Sequence, residues 1–115
     1  MNVSQAINAI QDYYDMTSPK DSYVAGTAYL DDDTVLDEIK TGDKLILQRE
    51  DNRFDDNAIL VLDEKKRKIG YVPEKDNIVF ARLMDAGKLL TAKIDRIESK
   101  SCFRQINISI YLVDF

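Results

Sequence analysis

Arg49-Glu50-Asp51-Asn52-Arg53-Phe54-Asp55-Asp56-Asn57-Ala58-Ile59 links two apolar runs, Leu45-Ile46-Leu47-Gln48 before it and Ala58 to Leu62 after it. Two short apolar runs joined by a polar stretch form the pattern of paired strands and their connection. A hairpin needs only about two to five turn-forming residues. This connection carries more chemistry than a turn requires, with Phe54 set between Asn52, Arg53, Asp55 and Asp56. Two readings of Phe54 follow. Either it is an exposed platform for stacking, or it folds back as a lid on one end of the sheet while Asn52 and Asp55 bond the loop backbone.

Outward from this loop, Lys44 to Arg49 and Ala58 to Asp63 read as strands. Glu64 to Arg67 reads as a solvated tip and Lys68 to Val72 as a third strand. Pro73 ends that strand and opens a helix running to Ala86, with Ile78, Val79, Phe80, Ala81, Leu83 and Met84 as its apolar surface and Gly87 as its stop. Thr91 to Glu98 and Arg104 to Val113 are two more strands. In the last, Ile106, Ile108, Ile110 and Leu112 alternate inward while Asn107 and Ser109 face outward.

Toward the N-terminus, Tyr23 to Leu30 reads as a strand, with Gly26 a bulge or a close approach. Val35, Leu36 and Ile39 form one helical turn that stops at Gly42. From Ser4 to Tyr14, Ala6, Ile7, Ile10, Tyr13 and Tyr14 recur at helical spacing, and Ser4 supplies a cap. The chain therefore divides into an amphipathic helix and linker over 1–20 and a barrel-like domain over 21–115. Six short strands with one firm helix predict a mainly β fold, a small six-stranded barrel or curled sheet plugged by helices.

Composition narrows the function. With 115 residues, 44% hydrophobic and 32% charged, the chain is long enough for one modest core and too apolar to be disordered. It shows neither a membrane-spanning run nor the basic, then apolar, start of a signal peptide. A lone cysteine, Cys102, fits a reducing compartment, so the expected address is cytoplasmic. The net charge of −5 is uneven. Residues 1–42 hold eight acidic and two basic side chains, whereas 43–115 hold thirteen and fourteen. The acidity thus belongs to the first third, with Asp31-Asp32-Asp33 its densest point, and the remainder is near neutral.

Catalytic signatures are sparse. The absence of histidine removes the commonest general base and most zinc sites. The four glycines stand too far apart for a phosphate loop. Asp51, Arg53 and Asp55 superficially resemble a calcium loop, but Arg53 holds a ligand position, Asp56 stands where glycine is needed and Leu62 where the bidentate Glu belongs. Asp55 and Asp56 have no evident acid–base partner in the sequence. The expectation is a protein that is not an enzyme and carries no cofactor or metal. The basic run Lys65-Lys66-Arg67-Lys68 reads as a soluble hairpin tip.

Taken in order, Gly26-Thr27-Ala28-Tyr29, Gly42-Asp43 with Leu45 and Leu47, Arg49-Glu50 with Asn52-Arg53-Phe54-Asp55-Asp56-Asn57-Ala58-Ile59, and Ile69-Gly70-Tyr71-Val72-Pro73 resemble the HIRAN domain over roughly residues 22 to 113. The resemblance implies an oligonucleotide-binding-like six-stranded barrel with two helices. In eukaryotes such domains accompany translocases that remodel stalled replication forks and capture the 3′ end of single-stranded DNA. Carried over by position, Tyr29 and Phe103 match stacking aromatics, Phe54 stacks on a base, Asp55 accepts from the 3′ hydroxyl and Asn52 supports the loop. Tyr71 belongs to the Gly-Tyr-Val-Pro signature, in contact with DNA or in packing. Two positions depart from DNA-binding eukaryotic members, where Ala28 and Glu74 stand in place of basic residues. The expected function is a non-catalytic binder of single-stranded 3′ ends that works with a nuclease, helicase or repair protein and without a membrane. The rival is a protein-interaction module that kept the barrel and lost DNA, and a metal-dependent hydrolase stands third.

Overall fold

A computed structural model describes residues 20–30, 33–100 and 103–113. The helix expected over 4–14 lies outside the described residues, as do Asp31, Asp32 and Cys102. Within them the strands are β1 (Lys20–Tyr23), β2 (Lys44–Arg49), β3 (Ile59–Leu62), β4 (Lys68–Tyr71), β5 (Leu90–Ser99) and β6 (Arg104–Leu112). One α-helix, α1 (Glu74–Asp85), and two 3-10 helices, Thr27–Tyr29 and Asp33–Asp37, complete the described elements.

All strand pairs are antiparallel, in the order β1-β6-β5-β2-β3-β4. Alternation decides which side of each strand is covered. Leu45 and Leu47 of β2 are buried while Lys44, Ile46 and Gln48 are exposed. β5 and β6 would lose this phase along their length without a register shift between Ile94 and Arg96. The bulge sets Ile94 opposite Ile108 and Ile97 opposite Ile106, so both strands keep isoleucine inward while the sheet bends.

The sheet curls into a half-barrel whose first and last strands meet. Just past β1, the Ala25 N–H donates to the Tyr71 carbonyl at 2.7 Å, and the Tyr71 N–H donates to the Ala25 carbonyl at 2.9 Å. Gly70 makes this meeting possible, because a Cβ there would lie 2.3 Å from the Ala25 carbonyl oxygen and 2.6 Å from Val24 Cγ1. Inside the curl, Leu45, Ile59, Val61, Ile69, Ile94, Ile106, Ile108 and Ile110 form the core, covered by Phe80, Ala81 and Leu83 of α1. Each such aliphatic side chain contributes about 1.5–3 kcal/mol on burial.

Pro73 supplies the start of α1, its carbonyl accepting from the Asp76 and Asn77 N–H groups at 2.9 and 3.0 Å. Gly87, at φ 89°, ends it. The Gly87 N–H donates to the Met84 carbonyl and the Lys88 N–H to the Leu83 carbonyl, both at 3.0 Å, the paired bonds of a Schellman stop.

One expectation needs correction. The strand expected over Tyr23–Leu30 is displaced: β1 stops at Tyr23, Gly26 turns left-handed at φ 78°, and Thr27–Tyr29 winds into a 3-10 turn. Its aromatic and β-branched residues suit a strand, but the bridge to Tyr71 fixes Ala25 and the chain must then turn away. Ser109 pairs with the exposed Lys93 on the outer face yet is only 5% exposed, its hydroxyl donating to the Asp95 carboxylate.

The β3–β4 tip yields two predictions. Asp63, only 7% exposed, accepts from the Lys65 and Arg67 N–H groups at 3.0 and 2.8 Å and from Arg67 Nε at 2.8 Å. Burial pushes its carboxyl up, but the Arg67 backbone and guanidinium and the Lys65 N–H outweigh this and hold it below the usual value. The stability this carboxylate supplies is therefore complete above its unfolded value of about 3.9 and is lost as pH falls through its lower folded value. Asp63→Asn should flatten the acid limb of the unfolding profile, read by circular dichroism between about pH 5 and 2. At the same tip Lys66 holds φ 65°. Lys66→Gly should raise stability by about 1 kcal/mol in urea denaturation, since glycine adopts this conformation without steric cost. A loss of stability would contradict that reading.

Candidate functional site

The β2–β3 connection is held from both ends. Arg49 donates to the Ala58 and Asp56 carbonyls, each at 2.7 Å, and through Nε to Asp85 at 2.9 Å, tying the loop exit to the end of α1. The Arg49 hydrogen bond holds the Asp85 carboxyl below its ordinary value; burial works against this, and the charges of Arg49 and Arg82 reinforce it. Within the loop, Asn52 Oδ1 accepts from the Phe54 N–H at 2.8 Å, and Asp55 Oδ1 accepts from the Asn57 N–H at 2.9 Å. These consecutive side-chain-to-backbone turns flank Phe54.

Held this way, Phe54 is 84% exposed with the Arg53 guanidinium 4.8 Å from its ring centroid. The lid reading is therefore excluded. Asp55 is half-buried, and its second oxygen accepts from Asn77 Nδ2 at 2.9 Å. Each carboxylate oxygen has about two acceptor sites, so one bond on each leaves capacity for a further donor.

A second feature lies where the chain leaves β1. The turn from Ala25 to Tyr29 walls a groove of about 530 Å³ with Tyr23, Phe103 and Gln105. Tyr29 is 88% exposed and Phe103 50%. A neighbouring cleft of about 490 Å³ shares Thr27, Ala28 and Phe103 and has a charged rim that includes Asp33, Asp37, Lys100 and Arg104. Arg104 is paired with Asp37.

The first turn of α1 connects loop and groove. Lys75 Nζ stands 5.4 Å from the Tyr23 ring centroid, the Ser22 hydroxyl donates to Asp76 at 2.9 Å, and Asn77 reaches Asp55. Of the expected site residues, Tyr29 and Phe103 thus share the groove, while Asn52, Phe54 and Asp55 share the loop. Tyr71 stands apart. It is half-buried, it closes the sheet with Ala25, and its ring carbon Cδ2 lies 3.7 Å from where a Gly26 Cβ would be. Lys68 Nζ lies 4.6 Å from its ring centroid.

Asn77 was missed by sequence reasoning. It is 3% exposed, on the face of α1 that also buries Phe80, Ala81 and Leu83, while Ile78, Val79 and Met84 are only half-buried. The signal was an amide standing three and four residues before Phe80 and Ala81, at the head of an apolar stripe.

Among the described residues, no helix is long and apolar enough to cross a membrane. No curated protein sequence matches the chain. Among solved structures, a structural-genomics target from Lactobacillus plantarum is similar at 29% identity, covering 81% of this chain and 93% of that one with a TM-score of 0.68. The HIRAN domain of human HLTF shares the fold at 18% identity and a TM-score of 0.62, covering 81% of this chain and 74% of that one. The HIRAN domain family model matches residues 21–113, which include the curled sheet, the Asn52–Asp55 loop and the aromatic groove. By that match over most of its length, the chain belongs to the HIRAN domain family.

Proposed function

We propose that this protein is a non-catalytic binding module for single-stranded DNA that takes the strand by its 3′ end. The observation that carries the reading is Phe54, an aromatic ring held out in solvent by side-chain hydrogen bonds on either side of it. Stacking of a base on such a ring contributes about 1–3 kcal/mol and tolerates every base, which suits capture of an end of any sequence. Tyr29 and Phe103 offer further stacking surface in the groove. Asp55 supplies the selective element, because a carboxylate accepts from a terminal hydroxyl and repels a terminal phosphate. Asn52 holds the loop, and Tyr71 holds Ala25, which lines the groove, through the paired backbone hydrogen bonds between them.

Affinity should be modest. Ala28 and Glu74 provide no phosphate contact, and the chain carries −5 overall. Binding on the order of micromolar, weakening as salt rises, is the expected signature. A module of this kind serves a nuclease, helicase or repair enzyme that supplies the chemistry, within the cytoplasm.

One observation favours a second reading, a protein-interaction module. The cleft beside the groove sets Asp33 and an Asp37–Arg104 pair together with Lys100, a charge-balanced lining that offers a phosphate backbone no net attraction. Fluorescence anisotropy at low salt separates the two readings. A labelled single-stranded oligonucleotide should bind more tightly than a blunt duplex of the same length. Equal binding to both would end the single-strand reading, and absent binding to both would end the DNA reading and leave the protein-interaction one.

A further inference from the structure

The outer face of the sheet carries an apolar row outside the main core cluster, in which Leu62 is buried, Thr91 and Tyr111 are half-buried and Ile46 is exposed. Leu62 stands opposite Ile46, Ile46 opposite Thr91, and Thr91 opposite Tyr111. Directly opposed residues share a face, so these four side chains cross β3, β2, β5 and β6 on the side away from the core. Leu89 and Val113 extend the row at the same end of the sheet, and both are exposed, as is Ile46. Beside the row the exposed Lys44 and Lys93 stand directly opposite each other, a like-charge pair that a nearby anion would relieve.

We propose that residues 4–14 of this same chain dock across this row as an amphipathic helix. The placement of β1 supports this occupant. Lys20 pairs with Ile110, so the chain before it enters the sheet beside Tyr111, Leu112 and Val113, at the end where the row is exposed. The lengths agree. The row spans three inter-strand gaps, about 14 Å, and a helix over 4–14 is about 16 Å long. Residues 15–19 extend to about 17 Å, enough to carry the helix from Lys20 onto the face. The chemistry agrees too. Ala6, Ile7, Ile10, Tyr13 and Tyr14 make an apolar stripe, and the charged residues of 1–19 are Asp12 and Asp15, which complement Lys44 and Lys93.

The test is nuclear magnetic resonance on the full chain at low concentration. Nuclear Overhauser contacts are expected from the Ile7 and Ile10 methyl groups to Ile46, Thr91 and Tyr111. A mixed sample of labelled and unlabelled chains separates contacts within one molecule from contacts between two. A full-length variant with Ile7→Asp and Ile10→Asp should shift the amide signals of Ile46, Thr91 and Tyr111 while those of Ile59, Ile69 and Ile108 stay in place. Contacts only between molecules would assign the face to a second copy and overturn the proposal. Absent contacts, with unshifted outer-face signals in the variant, would overturn it as well.

Discussion

Gly70→Ala is expected to lower stability by about 3 kcal/mol or more, the cost of forcing an atom into a packed contact that cannot give way. The added Cβ would meet the Ala25 carbonyl oxygen at 2.3 Å, and that oxygen accepts the Tyr71 N–H in the bridge joining the two ends of the sheet. A flexible side chain could swing aside, but a backbone carbonyl moves only by breaking its hydrogen bond. The damage should reach the groove, since Ala25 and Gly26 line it. Gly42 provides the control. It has φ 90°, but a Cβ added there would meet nothing within 4 Å, so Gly42→Ala should cost only about 1 kcal/mol of backbone strain. Urea denaturation of the two variants measures the difference directly. Equal costs would mean that Gly70 is not the closure point.

Phe54→Ala is the second change with a large expected effect, this time on binding. Single-stranded DNA affinity should fall by about 1–3 kcal/mol, roughly 5- to 150-fold. Folding stability should change by less than about 0.5 kcal/mol, because the ring is 84% exposed and gives the core little. Phe54→Trp should preserve or strengthen binding, since a larger π-face stacks at least as well. Asp55→Ala makes a poorer probe of the same site, because Asp55 also fixes the Asn57 N–H and Asn77 and its loss would disturb the loop itself. Undiminished binding by Phe54→Ala, with the fold intact, would remove the loop from the proposed site.

The sequence showed most clearly what is decided locally. β2 to β4 and α1 follow from alternation and from punctuation by Pro73 and Gly87, and the isoleucine phase of β6 follows from period two. Side-chain turns by Asn52 and Asp55 are likewise local chemistry, so the loop was legible as a special feature. The direction of Phe54 was not, because the same turns can present a ring outward or fold it inward and only the surrounding packing decides. Residues 23–30 misled for a non-local reason: the bridge from Ala25 to Tyr71 spans more than forty positions and interrupts a run that otherwise suits a strand. The link from Asp55 to Asn77 was hidden in the same way, although an amide at the head of the apolar stripe of α1 marked one end of it.

The proposed function stands or falls on whether the site reads the chemistry of a free 3′ end. Fluorescence anisotropy decides this with two oligonucleotides of identical sequence, one ending in a 3′ hydroxyl and the other in a 3′ phosphate. The terminus is varied and the protein left untouched, so loop damage cannot confuse the result. Clearly tighter binding to the hydroxyl end is expected, with the preference persisting as salt weakens both. Equal affinity for the two ends, or preference for the phosphate, would contradict end recognition by Asp55.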